Sequence, residues 1–288
     1  MTVKNSGLIL EGGATRGVFT AGVLDYLMEQ EYYEFSYVAG VSAGACNAVD
    51  YVSRQPGRTK ECMIHKEKHS QYINLKTAIK KKSLFDMDMI FDKYPNEIYP
   101  FDYDTYFESD IHCELVVTNC NTGQAEYLND RSSKERLMKI CRASSSIPVV
   151  SPMVEVDGIP YLDGGLGDSI PVIRSLKTGH KKNVLILTRN FGYRKKPPRK
   201  SRNVYAAIYR KYPELVRTIL NRYRMYNKTL SYIEKWEREE KIFVIRPEIP
   251  EVSRTEQDYD TLMNFYQHGH DQMEKKFEGM KKFLESGK

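Results

Sequence analysis

The pentapeptide Gly40-Val41-Ser42-Ala43-Gly44 constrains this chain more than any other stretch. It follows Tyr37-Val38-Ala39, a short apolar run with strand character, and it opens a small-residue segment, 43–52, with helical character. A serine at such a strand-to-helix reversal is lifted out of the surface, and glycines two residues away on either side admit the close backbone contacts of the turn. The same five residues would also serve as a tight turn around an unreactive serine, so their meaning depends on what the rest of the chain supplies.

An earlier unit has the same order. Gly7-Leu8-Ile9-Leu10 is an apolar run ending in Glu11-Gly12-Gly13, after which Val18, Ala21, Gly22, Leu24 and Leu27 fall into helical spacing. Two strand–turn–helix units in succession predict an α/β fold with a mostly parallel central sheet covered by helices. The loop Gly12-Gly13-Ala14-Thr15-Arg16-Gly17 lacks the GxGxxG order of a dinucleotide site, and no Gly-Lys-Ser/Thr follows as in a phosphate loop. Its amides, with the helix N-terminus behind them, suit an oxyanion better.

Further on, 114–119 and 124–128 read as a hairpin around Asn121-Thr122-Gly123, and 132–144 as a helix capped by Ser132 or Ser133. A second hairpin turns at Asp157-Gly158 and runs into Asp163-Gly164-Gly165. A strand-end aspartate followed by two glycines is placed to act as a base, and equally to close an Asx turn. The run 183–188 is an apolar core strand.

With 41% hydrophobic residues in 288, the chain can bury a large core, and no run approaches the roughly 18 apolar residues of a membrane span. The opening MTVKNSGLILEGG lacks a signal-peptide pattern, so a cytoplasmic protein is expected. Five scattered cysteines without a CxxC pair suit free thiols rather than disulfides or zinc. His65 and His69 are four apart but have no third ligand at useful spacing; a solvated helix face within 60–72 is the expectation, and no metal or cofactor. The net charge of +6 is clustered at Lys80-Lys81-Lys82 and over 194–202. Such patches suit anionic surfaces, a membrane met peripherally among them, although a lysine run taken alone reads first as a solvated loop; no nucleic-acid recognition signature accompanies them. After this basic linker, Tyr205 to Trp236 carry a tyrosine-rich apolar stripe interrupted at Pro213, read as a helix packed on the sheet rather than a membrane lid. A strand at 243–245 and an amphipathic helix over 259–284 close a single unit, with a core at 5–190 and a linker and helical part at 191–288.

Taken together, the glycine loop, the GxSxG turn and the strand-end DGG resemble the patatin-like phospholipase family, in which these motifs occur in this order. The segment Ala143-Ser144-Ser145-Ser146-Ile147-Pro148 matches that family's small-residue stretch ahead of the aspartate. The resemblance covers 7–188 and implies a three-layer fold related to the α/β-hydrolases. It also implies a Ser-Asp dyad: Ser42 as nucleophile, Asp163 as base, and Gly13, Ala14 and Gly12 as oxyanion donors. Gly40 and Gly44 would shape the nucleophile turn, and Gly17 would support the loop. Arg16 would hold the loop or meet a phosphate, against the plainer reading of a surface ion pair. Ala14 stands where the family has a third glycine, and Gly167-Asp168-Ser169 where it tends to have asparagines. The implied activity is hydrolysis of phospholipid or lysophospholipid esters. The alternatives are a carboxylesterase for small soluble esters, a non-catalytic lipid-binding protein of the same fold, and a serine–histidine triad through His180, His268 or His270.

Overall fold

The computed structural model describes residues 3–66, 85–198 and 202–286. β1 (Val3–Leu10) leads through a short 3-10 turn into α1 (Gly17–Glu29), and β2 (Phe35–Val41) into α2 (Ala43–Val52). There follow α3 (Arg58–Met63), a π-helical segment (Met89–Ile98), α4 (Tyr103–Glu108), β3 (His112–Asn119) and β4 (Ala125–Leu128). The chain continues through α5 (Lys134–Ser144), β5 (Val154–Val156), β6 (Ile159–Asp163), α6 (Val172–Lys177) and β7 (Lys182–Ile186). It ends with α7 (Arg202–Ile208), α8 (Pro213–Arg238), β8 (Ile242–Ile245) and α9 (Tyr259–Glu285).

The eight strands form one mixed sheet, in which β8, β7, β1, β2 and β3 run parallel. Alternate residues of the central strands enter two different cores, which is why these strands read as continuous apolar runs. Leu8 and Leu10 pack with residues of α1, α2 and α9, whereas Ile9, Tyr37 and Leu185 pack with Tyr226, Leu230 and Ile233 of α8. The tyrosine-rich stripe therefore packs on the sheet, and Pro213 starts α8 as its first residue, where a missing amide hydrogen costs nothing.

The register around β3 positions the candidate site. β4 occupies one edge of β3 over Leu115 to Thr118, so the partners of those residues on the other edge are shared between β2 and β6. β2 runs beside β3 up to the Val41–Val116 pair, and β6 takes over at Asp163–Val117. The two strands meet end to end. Ser42 and Asp163 are thus brought to neighbouring positions by backbone pairing alone.

The second hairpin turns as its dipeptide requires, with Asp157 at φ 52° and Gly158 at φ 78°. α3 ends at Met63, short of the helix expected over 60–72, and the rest of that stretch, with His69 and Lys80-Lys81-Lys82, lies outside the described residues. His65 is buried rather than on a solvated face, its Nε2 lying 3.0 Å from the Cys62 carbonyl and 3.2 Å from the Tyr94 hydroxyl. Arg199 and Lys200 also lie outside the described residues, while Arg194 forks onto Glu234 at 2.7–2.8 Å. Among the described residues, no helix is long and apolar enough to cross a membrane.

Candidate active site

Ser42 occupies the reversal between β2 and α2 at φ 56° and ψ −124°, a conformation that costs a non-glycine residue on the order of 1–3 kcal/mol. The glycines around it leave room that no side chain could share. A Cβ on Gly40 would lie 2.3 Å from the Gly44 carbonyl oxygen, and one on Gly44 would lie 2.5 Å from that of Leu10. The strained serine is held from outside the turn: its amide donates to the Ser144 hydroxyl at 2.9 Å, and that hydroxyl donates to the Val116 carbonyl at 2.6 Å.

The segment that carries Ser144 also holds the aspartate, and so acts as a strap across both residues. The Asp163 amide donates to the Ser146 carbonyl at 2.8 Å, and Thr118 Oγ1 donates to the Asp163 carbonyl at 2.9 Å. Asp163 Oδ1 accepts the Gly165 amide at 2.8 Å, so the Asx turn is present and fixes the carboxylate. The small-residue segment 143–148 thereby acquires a physical role, clamping Ser42 and Asp163 to the end of β3.

Gly12 abuts the serine: a Cβ there would sit 2.7 Å from the Val41 carbonyl oxygen and 3.0 Å from Ser42 Cβ. Ala14 adopts φ 52°, the left-handed region that its glycine counterpart would enter without strain. The loop is anchored by Glu11, whose carboxylate accepts the Thr188 amide at 2.7 Å and the Tyr226 hydroxyl at 2.6 Å. Gly17 lets α1 approach α2, where Asn47 Nδ2 reaches its carbonyl at 3.3 Å.

Two cavities meet at Ser42, Ala14 and Ile147. One is walled by Val49, Met63, Phe85, Met87, Phe91 and Met138, together with Cys46, Cys62 and Cys141. All five cysteines are free, and burial pushes the Cys46 thiol up to about 12. The other cavity holds Asp163, Glu11, Gly12 and Gly13 and a set of basic side chains: Arg16, Arg189, Lys195, Arg222 and Arg254. Burial first, then Arg189 and Arg254, push the Arg16 guanidinium down to about 10. Arg16 is only 4% exposed, so it forms no surface ion pair.

None of the three candidate histidines lines either cavity. His180 stacks on Tyr37 at 4.4 Å, His268 accepts the Glu248 amide at 3.0 Å, and His270 contacts Glu29 at 2.8 Å. Among the described residues, no group of three His, Cys, Asp or Glu side chains could hold a metal ion. Sequence reading missed Glu11, Thr188, Lys195, Arg222, Tyr226 and Arg254. Arg222 carried a detectable signal, an arginine three residues after Ile219 and four before Tyr226, on the buried side of the α8 stripe.

Comparison with known proteins adds a family context. The family described as patatin-like phospholipase matches residues 8–174, and a second family, described only as a domain of unknown function, matches 212–285. The chain is 32% identical over 187 residues to the uncharacterized protein YjjU of Escherichia coli K12, covering 63% of this chain and 51% of YjjU. It thus spans about half the length of that relative. The crystal structure of VipD from Legionella pneumophila aligns over 96% of this chain and 67% of that one, with 13% identity and a TM-score of 0.47.

Proposed function

We propose, from the premise that the chain belongs to the patatin-like phospholipase family, that it hydrolyses carboxylic esters of lipids through a Ser42–Asp163 dyad. The observation that carries this reading is the end-to-end meeting of β2 and β6 against β3, with Ser42 at the junction of an apolar and a cationic cavity.

Asp163 accepts the Ser42 hydroxyl proton as Oγ attacks the acyl carbonyl carbon. The carbonyl oxygen becomes an oxyanion against the amides of Gly13 and Ala14, with Gly12 beside them. Removing one such donor typically costs about 3–4 kcal/mol of barrier. Collapse of the intermediate breaks the ester C–O bond, and the departing alcohol takes the proton from Asp163. Water then gives a proton to Asp163 as it attacks the acyl carbonyl carbon; the second intermediate collapses by breaking the Ser42 Oγ–acyl bond, Oγ takes the proton back from Asp163, and the carboxylic acid leaves.

The Met- and Phe-walled cavity favours a long acyl chain over the small acids of a soluble carboxylesterase. The test is covalent labelling with a fluorophosphonate beside hydrolysis of a long-chain ester. Wild type labels and turns over, Ser42→Ala does neither, and Asp163→Asn loses roughly 10⁴ in kcat, as for loss of a positioned carboxylate elsewhere. Undiminished labelling of Ser42→Ala sinks the assignment. A folded wild type that neither labels nor turns over supports the non-catalytic alternative.

A further inference from the structure

The cationic cavity holds more positive charge than its own carboxylates neutralise. Glu11 is occupied by Thr188 and Tyr226, and Arg189 pairs with Glu251 at the rim. Arg16 is buried, and its Nε has no hydrogen-bond partner among the described residues; Arg222 Nε is likewise buried and unpartnered among them. Lys195 is held over the Tyr226 ring at 4.2 Å, its backbone clamped by Asn227 at 2.8 and 3.0 Å. A protein folds around such groups without partners at a cost, and an anion arriving in the cleft removes it.

We propose that this cavity is an anion subsite and that the lipid ester presented to Ser42 carries a phosphate monoester. The proposal rests on the reading of Ser42 as nucleophile. Lys195, Arg222 and Arg254 all lie beyond residue 174, where the match to the patatin-like family ends, so the C-terminal part of the chain selects the headgroup. A phosphate monoester near pH 7 carries close to two charges and three acceptor oxygens, which suits several converging cations. A zwitterionic headgroup would bring its ammonium among those cations, and the cavity's carboxylates are Glu11, already satisfied, and Asp163, needed at the serine. Like-charge juxtaposition of that kind discriminates against the choline lipid.

Ether analogues separate binding from turnover. A 1-alkyl-glycerol-3-phosphate and the 1-alkyl-glycerophosphocholine of equal chain length are titrated below their micelle concentrations against the full chain, with inorganic phosphate as a third ligand. The monoester is expected to bind at least about ten-fold tighter than the choline lipid, the worth of one good charge-assisted contact. Arg222→Gln and Arg254→Gln each bring that ratio toward one. Arg254 is exposed, so its variant keeps the test alive if Arg222→Gln fails to fold. Equal affinity for the two ethers overturns the subsite. Inorganic phosphate binding as tightly as the ether phosphate overturns the lipid assignment in favour of free phosphate. Turnover of the matching esters is measured alongside: hydrolysis of both at equal kcat/KM refutes the subsite alone, whereas discrimination between ethers without any turnover refutes the hydrolase reading alone.

Discussion

Two charge clusters sit at opposite ends of the same sheet, and they are built by different rules. At the N-terminal end of the strands, Glu114 of β3 accepts Arg174 through two bonds of 2.9 and 2.7 Å and the Tyr37 hydroxyl at 2.6 Å, with His112 at 3.5 Å. Burial alone would push the Glu114 carboxyl up, but Arg174, His112 and Tyr37 outweigh it and hold it at about 2. At the C-terminal end, Arg16 and Arg222 keep nitrogens unpartnered among the described residues, and Lys195 is crowded by Arg222. The contrast separates charge that stabilises the fold from charge that the fold holds ready. A satisfied network rigidifies, and an unsatisfied one of a single sign is destabilising until a ligand of opposite charge binds.

The largest expected effect falls at the satisfied end. Glu114→Gln leaves Arg174, whose side chain is 35% exposed, facing a neutral amide and should destabilise the protein by about 2 kcal/mol, the worth of a hydrogen bond to a charged group. At roughly 2–4 °C per kcal/mol for a chain of this size, thermal melting should shift down by about 4–8 °C. Turnover per folded molecule should be unchanged, since Glu114 lines neither cavity. The pH dependence has a definite sign. A carboxyl held below its ordinary value contributes stability that is present above the unfolded value near 4.5 and is lost as pH falls toward 2. The variant should therefore approach wild type in stability through that window. A shift under 2 °C at pH 7 would break the distinction between the two ends.

At the other end the sign reverses. Burial, then Arg222, with Arg254 and Arg189 adding and Glu11 opposing, push Lys195 down to about 6. Between that value and its ordinary 10.5 the unfolded chain binds the extra proton, so this residue's contribution to stability rises with pH across the window. Lys195→Met should accordingly stabilise the fold, by about 1 kcal/mol or 2–4 °C near neutral pH, a gain typical of relieving a functional strain. Measured by thermal melting, the gain should be greatest near pH 6 and shrink toward pH 10. Affinity for an anionic ether lipid should fall at the same time. A destabilised Lys195→Met that keeps its anion affinity would place Lys195 with the structural charges.

What could be read from the chain follows the same division. The GxSxG turn, the glycine loop and the strand-end aspartate are contiguous motifs whose backbone demands are written into neighbouring residues, and so is the Asp157-Gly158 turn. The strap is not local: Ser144 reaches an amide 102 residues away, and only the pairing of β3 with β2 and β6 brings them together. Glu11 was visible as part of a loop but not as its anchor, because Thr188 and Tyr226 are 177 and 215 residues distant. Of the basic residues in the second cavity, Arg16 was legible in its loop and Arg222 faintly on the apolar stripe of α8, but Lys195 and Arg254 sit in connecting segments, and their place beside Asp163 becomes evident only when the facing strand ends are known.

Ala14 offers the finest test, since it stands where the two cavities join and changes no charge. Its φ of 52° strains an alanine by about 1 kcal/mol, which glycine would relieve. Glycine also gives the unfolded chain about 0.4–1 kcal/mol of extra conformational freedom. The two terms oppose each other, so Ala14→Gly should leave the melting temperature within roughly 2 °C of wild type. The methyl lost from the junction widens the passage between the cavities, and kcat/KM for esters branched near the carbonyl should rise by a few-fold at most, as for one methylene in a pocket. A melting point lowered by more than about 4 °C would mean that the methyl is core packing and that the loop belongs to the rigid, satisfied part of the molecule.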